Sequence, residues 1–269
     1  MAVGLVLGAL YVFVFLAGPS IAPYPSDKMR VGPPLEGPSR QHFFGTDEFG
    51  RDVYSRVLQG APISLRVGAL VVLIAGGIGS LIGLASGFTG GWLDEVMMRA
   101  TDIFLAFPGL VMALIIASAL GASIESAIIG IALVRWTGYA RLMRSCVLAE
   151  KGKDYVLAGR ALGAQPLRLA WKHVLPNSYA PTLVQATLDF GLAILLAAGL
   201  SFIGAGAQPP IPEWGALVAG GRQYVQAAWW IPVFPGLAIF GAVLAFNLLG
   251  DALRDLLDPR LRDEMQRRA

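Results

Sequence analysis

With 269 residues, 55% of them hydrophobic and 14% charged, the chain carries more apolar surface than one soluble core of its length would bury. Its mean hydropathy of +0.62 points to the lipid bilayer as the solvent. A formal charge of +3 argues against a nucleic-acid-binding protein, and the single cysteine, Cys146, excludes an internal disulfide framework or a multi-cysteine metal site.

The first apolar run, Ala2 to Ala22, has no basic residues before it, which weakens a signal-peptide reading and favours a first transmembrane helix. Residues 23–62 are polar and rich in Pro and Gly; they read as an extracytoplasmic loop with one short surface helix near Asp52 to Leu58. A second span runs from Val67 to Gly87 and ends at the turn signal Gly90-Gly91. Within it Gly79, Gly83 and Gly87 recur every four residues, which predicts tight helix packing. The third span, Ile103 to Leu120, contains Pro108, expected to kink it, and Thr101-Asp102 reads as its cap. The fourth, Ser126 to Leu142, carries Arg135, either a polar-pathway residue or one that snorkels toward the basic end at Arg141 and Arg144. The fifth, Leu183 to Ala207, includes Asp189, which either lines a pathway or lies at the interface. The sixth, Trp229 to Gly250, opens on an expected interfacial anchor, Trp229-Trp230, and holds Asn247, a further pathway candidate.

The expected fold is therefore all-α: six transmembrane helices, with residues 63–254 forming a core of five and residues 255–269 a tail. Orientation follows from the positive-inside rule. The stretch between the fourth and fifth spans has Arg141, Arg144, Lys151, Lys153, Arg160, Arg168 and Lys172 against Glu150 and Asp154, so it is expected in the cytoplasm. The tail, with Arg254, Arg260, Arg262, Arg267 and Arg268, falls on the same side, and both termini are expected to be cytoplasmic.

Within the cytoplasmic stretch 150–178, Asp154 to Pro176 encodes two short helices. The first, Asp154 to Leu162, starts with an acidic residue and stops at Gly163, the residue best suited to a left-handed cap. Pro166 opens the second, Leu167 to Val174, which Leu175-Pro176 is expected to close. Leu167, Trp171 and Val174 recur on one side of it and Arg168 and Lys172 on another. A rigid helix-turn-helix with apolar and basic faces suits docking of a soluble partner.

This segment resembles the EAA signature of ABC importer permeases: Glu-Ala-Ala, three residues, Gly, eleven residues, then Leu-Pro. Leu157, Ala158 and Gly159 stand at the Glu-Ala-Ala positions, Gly163 is the key glycine, and Leu175-Pro176 closes the motif. Leu157 replaces the acidic residue and Gly159 the second alanine; Asp154, one turn earlier, is a candidate to take the missing acidic contact. The resemblance covers roughly Gln41 to Arg262 and is to the dipeptide, oligopeptide and nickel subgroup. His42 to Arg56, Gly90 to Pro108, Gly138 to Arg141, Gln208 to Gly215 and Asn247 to Arg260 carry it.

The resemblance implies a permease subunit of the bacterial inner membrane, paired with a second, similar permease, two ATPase subunits and an extracytoplasmic solute-binding protein. Peptides are the first cargo it implies and nickel complexes or other small solutes the second. The ATPase-docking residues would be Asp154, Leu157, Ala158, Gly159, Arg160, Gly163, Arg168, Lys172, Leu175 and Pro176. The chain has no Gly-x-x-x-x-Gly-Lys-Ser/Thr loop, so no cofactor is expected on it, and ATP and Mg are expected on the partner ATPases. The loop holding Gln208, Pro209, Pro210, Glu213 and Trp214 is expected to face outward and to contact the binding protein. His42 and His173 are read as surface or interface residues, and no metal site is expected. Rivals from other classes are a secondary carrier, which would not need docking helices, and a membrane-embedded enzyme. The enzyme lacks its chemistry: no His-Glu-x-x-His pair and no Gly-x-Ser-x-Gly elbow occur.

Overall fold

A computed structural model of the chain describes residues 2–257. The tail arginines Arg260, Arg262, Arg267 and Arg268 lie outside the described residues. The described residues are helical apart from loops and one isolated bridge, Thr46 to Asp52. The helices are α1 (Ala2–Ile21), α2 (Val53–Thr89), α3 (Gly91–Leu105), α4 (Gly109–Leu120), α5 (Ile124–Lys151), α6 (Asp154–Ala161), α7 (Pro166–Leu169), α8 (Leu175–Ser178), α9 (Ala180–Ile203), α10 (Trp214–Gly221) and α11 (Trp230–Leu257). By length and composition α1, α2, α9 and α11 are long and apolar enough to cross a membrane, and α3 with α4 forms a fifth candidate bent by 89°. The 28-residue α5 carries Arg135, Arg141 and Arg144 among its apolar positions.

No separate surface helix precedes the second span. Asp52 caps α2 by accepting from the Ser55 backbone N–H, and the helix then runs unbroken for 37 residues through Pro62. At 1.5 Å per residue that is about 55 Å, so α2 outruns a hydrocarbon layer of about 30 Å and its first turns stand in the cap formed by residues 22–52. Pro62 gives up the hydrogen bond to Leu58. There α1 crosses at Gly18, where a Cβ would lie 2.8 Å from the Leu58 carbonyl oxygen, so glycine leaves room for the freed carbonyl.

Along the seam between α2 and α5 the two backbones approach closely at three successive turns. A Cβ at Gly79 would lie 2.3 Å from the Trp136 carbonyl oxygen, at Gly83 2.3 Å from that of Ala140, and at Gly87 3.0 Å from that of Arg144. The small-residue spacing thus does what it predicted. Around this seam Val67 and Val71 of α2, Ala113 and Ala117 of α4, Ile128 and Ile131 of α5 and Ala193, Ala197 and Leu200 of α9 form one buried cluster. A second cluster joins α1, α10 and α11 to α2 and α9 around Trp214.

The third span is broken rather than kinked. α3 stops at Leu105 and α4 restarts after Pro108, because Pro108 cannot continue the ladder and instead stands at the N-cap of α4. Asp102 lies within α3, not at its start, and pairs with Arg141 of α5 instead of capping. At the start of α11 Trp230 is buried and its indole N–H donates to the Thr46 carbonyl at 3.0 Å, so only Trp229 of the expected aromatic anchor is exposed. His42 is likewise buried, its Nδ1 2.9 Å from Asp52 Oδ1, because residues 22–52 fold back over the start of α2 as a packed cap.

Replacing Gly83 by Val should force α5 off α2, whereas Gly77→Ala, where an added Cβ meets nothing within 4 Å, should be neutral. Overpacking of this kind costs about 1–3 kcal/mol or more, so thermal unfolding in detergent should show a clear loss of stability for Gly83→Val alone.

Candidate functional site

The segment after α5 forms a compact hairpin below the seam. α6 closes in a Schellman arrangement: the Gly163 N–H donates to the Arg160 carbonyl at 2.9 Å and the Ala164 N–H to the Gly159 carbonyl at 3.0 Å, with Gly163 at φ +79°. A side chain at that φ is strained, which is why glycine holds the position. Gly159 has a structural role too. A Cβ there would meet Leu169 Cδ2 at 2.8 Å, so the small residue lets α6 close on the buried Leu169 of α7.

Leu175-Pro176 does not end the second helix. Residues Ala170–Val174 are π-helical, the Leu175 N–H reaches back five residues to the Ala170 carbonyl, and the path continues through Pro176 to Ser178. The wider turn removes the demand for a Pro176 N–H and gives its ring space. Pro181 then separates α8 from α9 at Tyr179. The same register change splits the expected apolar row. Val174 turns inward and is fully buried with Val156, Met143, Val147 and Leu84, while Leu167 and Trp171 stay outside.

Polar contacts fix the hairpin to the bundle. The Tyr155 hydroxyl donates to Glu150 Oε1, Lys153 Nζ lies 2.7 Å from Glu150 Oε2, and Asn177 Nδ2 donates to the His173 carbonyl at 2.6 Å. Burial, and then the Glu150 carboxylate, push the Tyr155 phenol up to about 12. Burial works against ionisation of Glu150, yet Lys153 and Tyr155 together hold its carboxyl below the ordinary range. Lys151 Nζ donates to the Gly87 carbonyl at 2.6 Å, and the Arg160 guanidinium lies 5.4 Å from the centre of the Phe88 ring. What remains outward is an apolar ridge of Leu157, Leu162 (88% exposed), Leu167 (70%) and Trp171, with Asp154, Ala158, Arg168, Lys172, His173 and Pro176 also exposed around it.

A second site lies within the spans. Arg135 of α5 does not snorkel toward the helix end; its guanidinium donates sideways to Asp189 Oδ1 of α9, which also accepts from Gln185 Nε2 at 3.0 Å. Asp189 is buried, and its Oδ2 has no hydrogen-bond partner among the described residues. Two residues that hydropathy alone could not relate are thus one ion pair. Asn247 sits partly buried on α11 and makes no side-chain hydrogen bond among the described residues.

In the loop between α9 and α10 Gln208, Pro209 and Pro210 are exposed, but Glu213, at its end, and Trp214, which opens α10, are buried. Glu213 caps α10, accepting from the Gly215 and Ala216 N–H groups, and the Trp214 indole N–H donates to the Val57 carbonyl at 2.9 Å. Their sequence signal was an acidic residue before a short apolar run, which reads equally as a cap. No cluster of three His, Cys, Asp or Glu side chains that could hold a metal ion occurs among the described residues.

Comparison with known proteins identifies the class. Residues 79–263 match the family described as "Binding-protein-dependent transport system inner membrane component", and the chain belongs to that family. It is a multi-pass inner-membrane subunit of such a transport system. Among its relatives are the dipeptide transport system permease protein DppC of Alkalihalophilus pseudofirmus (42% identical, covering 97% of this chain and 86% of that protein) and the di/tripeptide transport system permease protein DppC of Pseudomonas aeruginosa (47%, 97% and 88%). The dipeptide permease DppC of Escherichia coli K12 is 46% identical over 97% of this chain and 89% of its own length. Relatives named as permeases make the chain a transporter subunit and not itself an enzyme. Its fold is similar to a chain of the inward-facing MetNI methionine ABC transporter, at TM-score 0.56 and 19% identity over 74% of this chain and 96% of that one.

Tyr155→Phe should release one charge-assisted hydrogen bond holding the hairpin, a loss of about 1–3 kcal/mol. Hydrogen exchange should rise over residues 154–178 and stay unchanged in α1.

Proposed function

We propose that this chain forms half of the membrane pathway of an ATP-driven importer for short peptides and takes its power stroke through residues 154–176. The observation that carries the reading is the hairpin itself: a Schellman-closed turn at Gly163, anchored inward by Val156, Leu169 and Val174 and presenting Leu157, Leu162, Leu167 and Trp171 outward. An apolar ridge of that size beside Arg168 and Lys172 suits a groove in a soluble partner. The partner of this reading is one of two ATPase subunits, which hold the ATP and Mg. Relatives named for dipeptide and di/tripeptide transport support the cargo.

The complete assembly in this reading adds a second, homologous permease and an extracytoplasmic binding protein. Six spans then cross the bilayer: α1, α2, the α3–α4 pair, α5, α9 and α11, with both termini and the hairpin in the cytoplasm. Arg135, Asp189 and Asn247 line the pathway. Gln208, Pro209 and Pro210 are the surface offered to the binding protein, while Glu213 and Trp214 support it from within. Leu157 meets the ATPase groove as an apolar contact in place of a carboxylate, with Asp154 beside it.

The test is uptake of a labelled dipeptide into proteoliposomes holding this chain, its partner permease and the ATPase subunits, supplied with binding protein. Uptake should require ATP, and transport that persists without the ATPase subunits would sink the reading. Gly163→Val forces a β-branched residue into left-handed backbone at a cost of roughly 1–2 kcal/mol. About a tenfold loss of retained ATPase on co-purification should follow, with membrane insertion intact.

A further inference from the structure

α5 leaves one face uncovered between α3 on one side and α9 on the other. Gly138 stands on it, exposed, and a Cβ added there would meet nothing within 4 Å. An ion pair flanks it on each side: Arg135 with Asp189 of α9, and Arg141 with Asp102 of α3. Arg135 lies eleven residues into α5 and Asp189 nine into α9, about 16 Å and 14 Å along helices that rise 1.5 Å per residue. A charged face at such depth is costly against lipid, and ionisable groups inside spans turn to the bundle interior or to a water-filled cavity.

The inner pair is also oriented. The Arg135 side chain is 29% exposed and that of Asp189 6%, so the cation is presented and the anion withdrawn. Among the described residues Arg135 spends one N–H on Asp189 and has no other side-chain hydrogen bond. Four of the five donors of its planar fork are therefore free for an acceptor, and a carboxylate matches that fork in shape and charge. Gln185 holds the Asp189 carboxylate, and that carboxylate in turn holds the guanidinium.

We propose that this face of α5 lines the aqueous pathway and that Arg135 is the residue on it that receives the carboxylate of a passing peptide. The inference rests on the importer reading and adds to it which group of the cargo is recognised within the membrane, and by which side chain. Asp189 acts as its positioning residue. A free carboxylate at the peptide's C-terminus is then part of what the pathway reads, and a peptide amide is not held there.

The experiment places a thiol at the centre of the face. In the complete importer, with Cys146→Ser as parent, Gly138→Cys is exposed to anionic and cationic methanethiosulfonates of similar size, and labelling of this chain is followed by mass spectrometry. The anionic reagent should react several-fold faster than the cationic one. The double variant Arg135→Gln, Asp189→Asn, which keeps the shapes and leaves no lone buried charge, should abolish that preference. A dipeptide with a free carboxylate should slow labelling, and its C-terminal amide should not. A Gly138→Cys variant whose thiol reacts with neither reagent, a preference unchanged by the double variant, or equal protection by acid and amide would each overturn the proposal. Should the double variant fail to assemble, Arg135→Lys replaces the planar fork with a point charge; protection by the acid should then weaken several-fold, and undiminished protection would overturn the role of the fork. ATP-driven uptake by the Cys146→Ser parent is measured in parallel. Its absence would sink the importer reading, whereas uptake by the parent beside an unreactive thiol in Gly138→Cys would sink this proposal alone.

Discussion

The backbone contact between α2 and α5 is the constraint on which the other helices depend. At Gly79 and Gly83 the missing side chains let α5 carbonyls come to distances no Cβ would allow, and at Gly87 to one that would be tight for a Cβ, so the two helices are held without sliding room. Once α5 is fixed in rotation, its other faces are assigned. Trp136 and Tyr139 pack inward, Met143 and Val147 meet the hairpin, and Gly138 is left open. Lipid supplies little hydrophobic drive between helices, so dispersion contact along this seam has to do what a soluble core does by expelling water.

Polar groups then decide the ends. In the cap of residues 22–52 the Asp47 carboxylate accepts from the Phe49 and Arg51 backbone N–H groups through one oxygen and faces Arg51 Nε at 2.6 Å and Arg56 at 2.8 Å through the other. Burying such a group is tolerable only when its partners are complete, and here two arginines and two amides complete it. The indole of Trp214 ties the Val57 carbonyl of α2 and that of Trp230 the Thr46 carbonyl of the cap. The cap is therefore a packed structure, although its Pro- and Gly-rich composition reads as a plain loop.

What was legible in the sequence is what local rules govern. The glycine stripe, the Gly90-Gly91 turn, the left-handed Gly163 and the apolar runs of α1, α2, α9 and α11 all follow from backbone sterics and the thickness of the bilayer, and each stands where it was expected. The misreadings lie where a distant partner overrides a local signal. Pro62 looked like a loop residue, but α1 crosses at Gly18 and lets the helix pass. Pro176 looked like a stop, but a π-turn absorbs it. Asp102 looked like a cap and Arg135 like a snorkelling side chain, and each found a partner on a helix that is not adjacent in sequence. Nothing in hydropathy or periodicity reports such pairings.

The Arg135–Asp189 pair also bears on how a push on the hairpin would travel in the proposed importer. The hairpin is the connection between α5 and α9, and Val156, Val174 and Tyr155 clamp it to the end of α5. Glu150 and Arg135 are fifteen residues apart on one continuous helix, about 22 Å, so α5 is a stiff strut between the docking surface and the ion pair. The pair crosses from α5 to α9, the two helices that the hairpin joins, so they are tied twice, once by the chain below and once by charge within the span. A displacement of the hairpin therefore has to carry α5 and α9 together, and the softer contacts around them must yield. The break at Ala106 to Pro108 between α3 and α4 is one such place, because no continuous helical ladder crosses it.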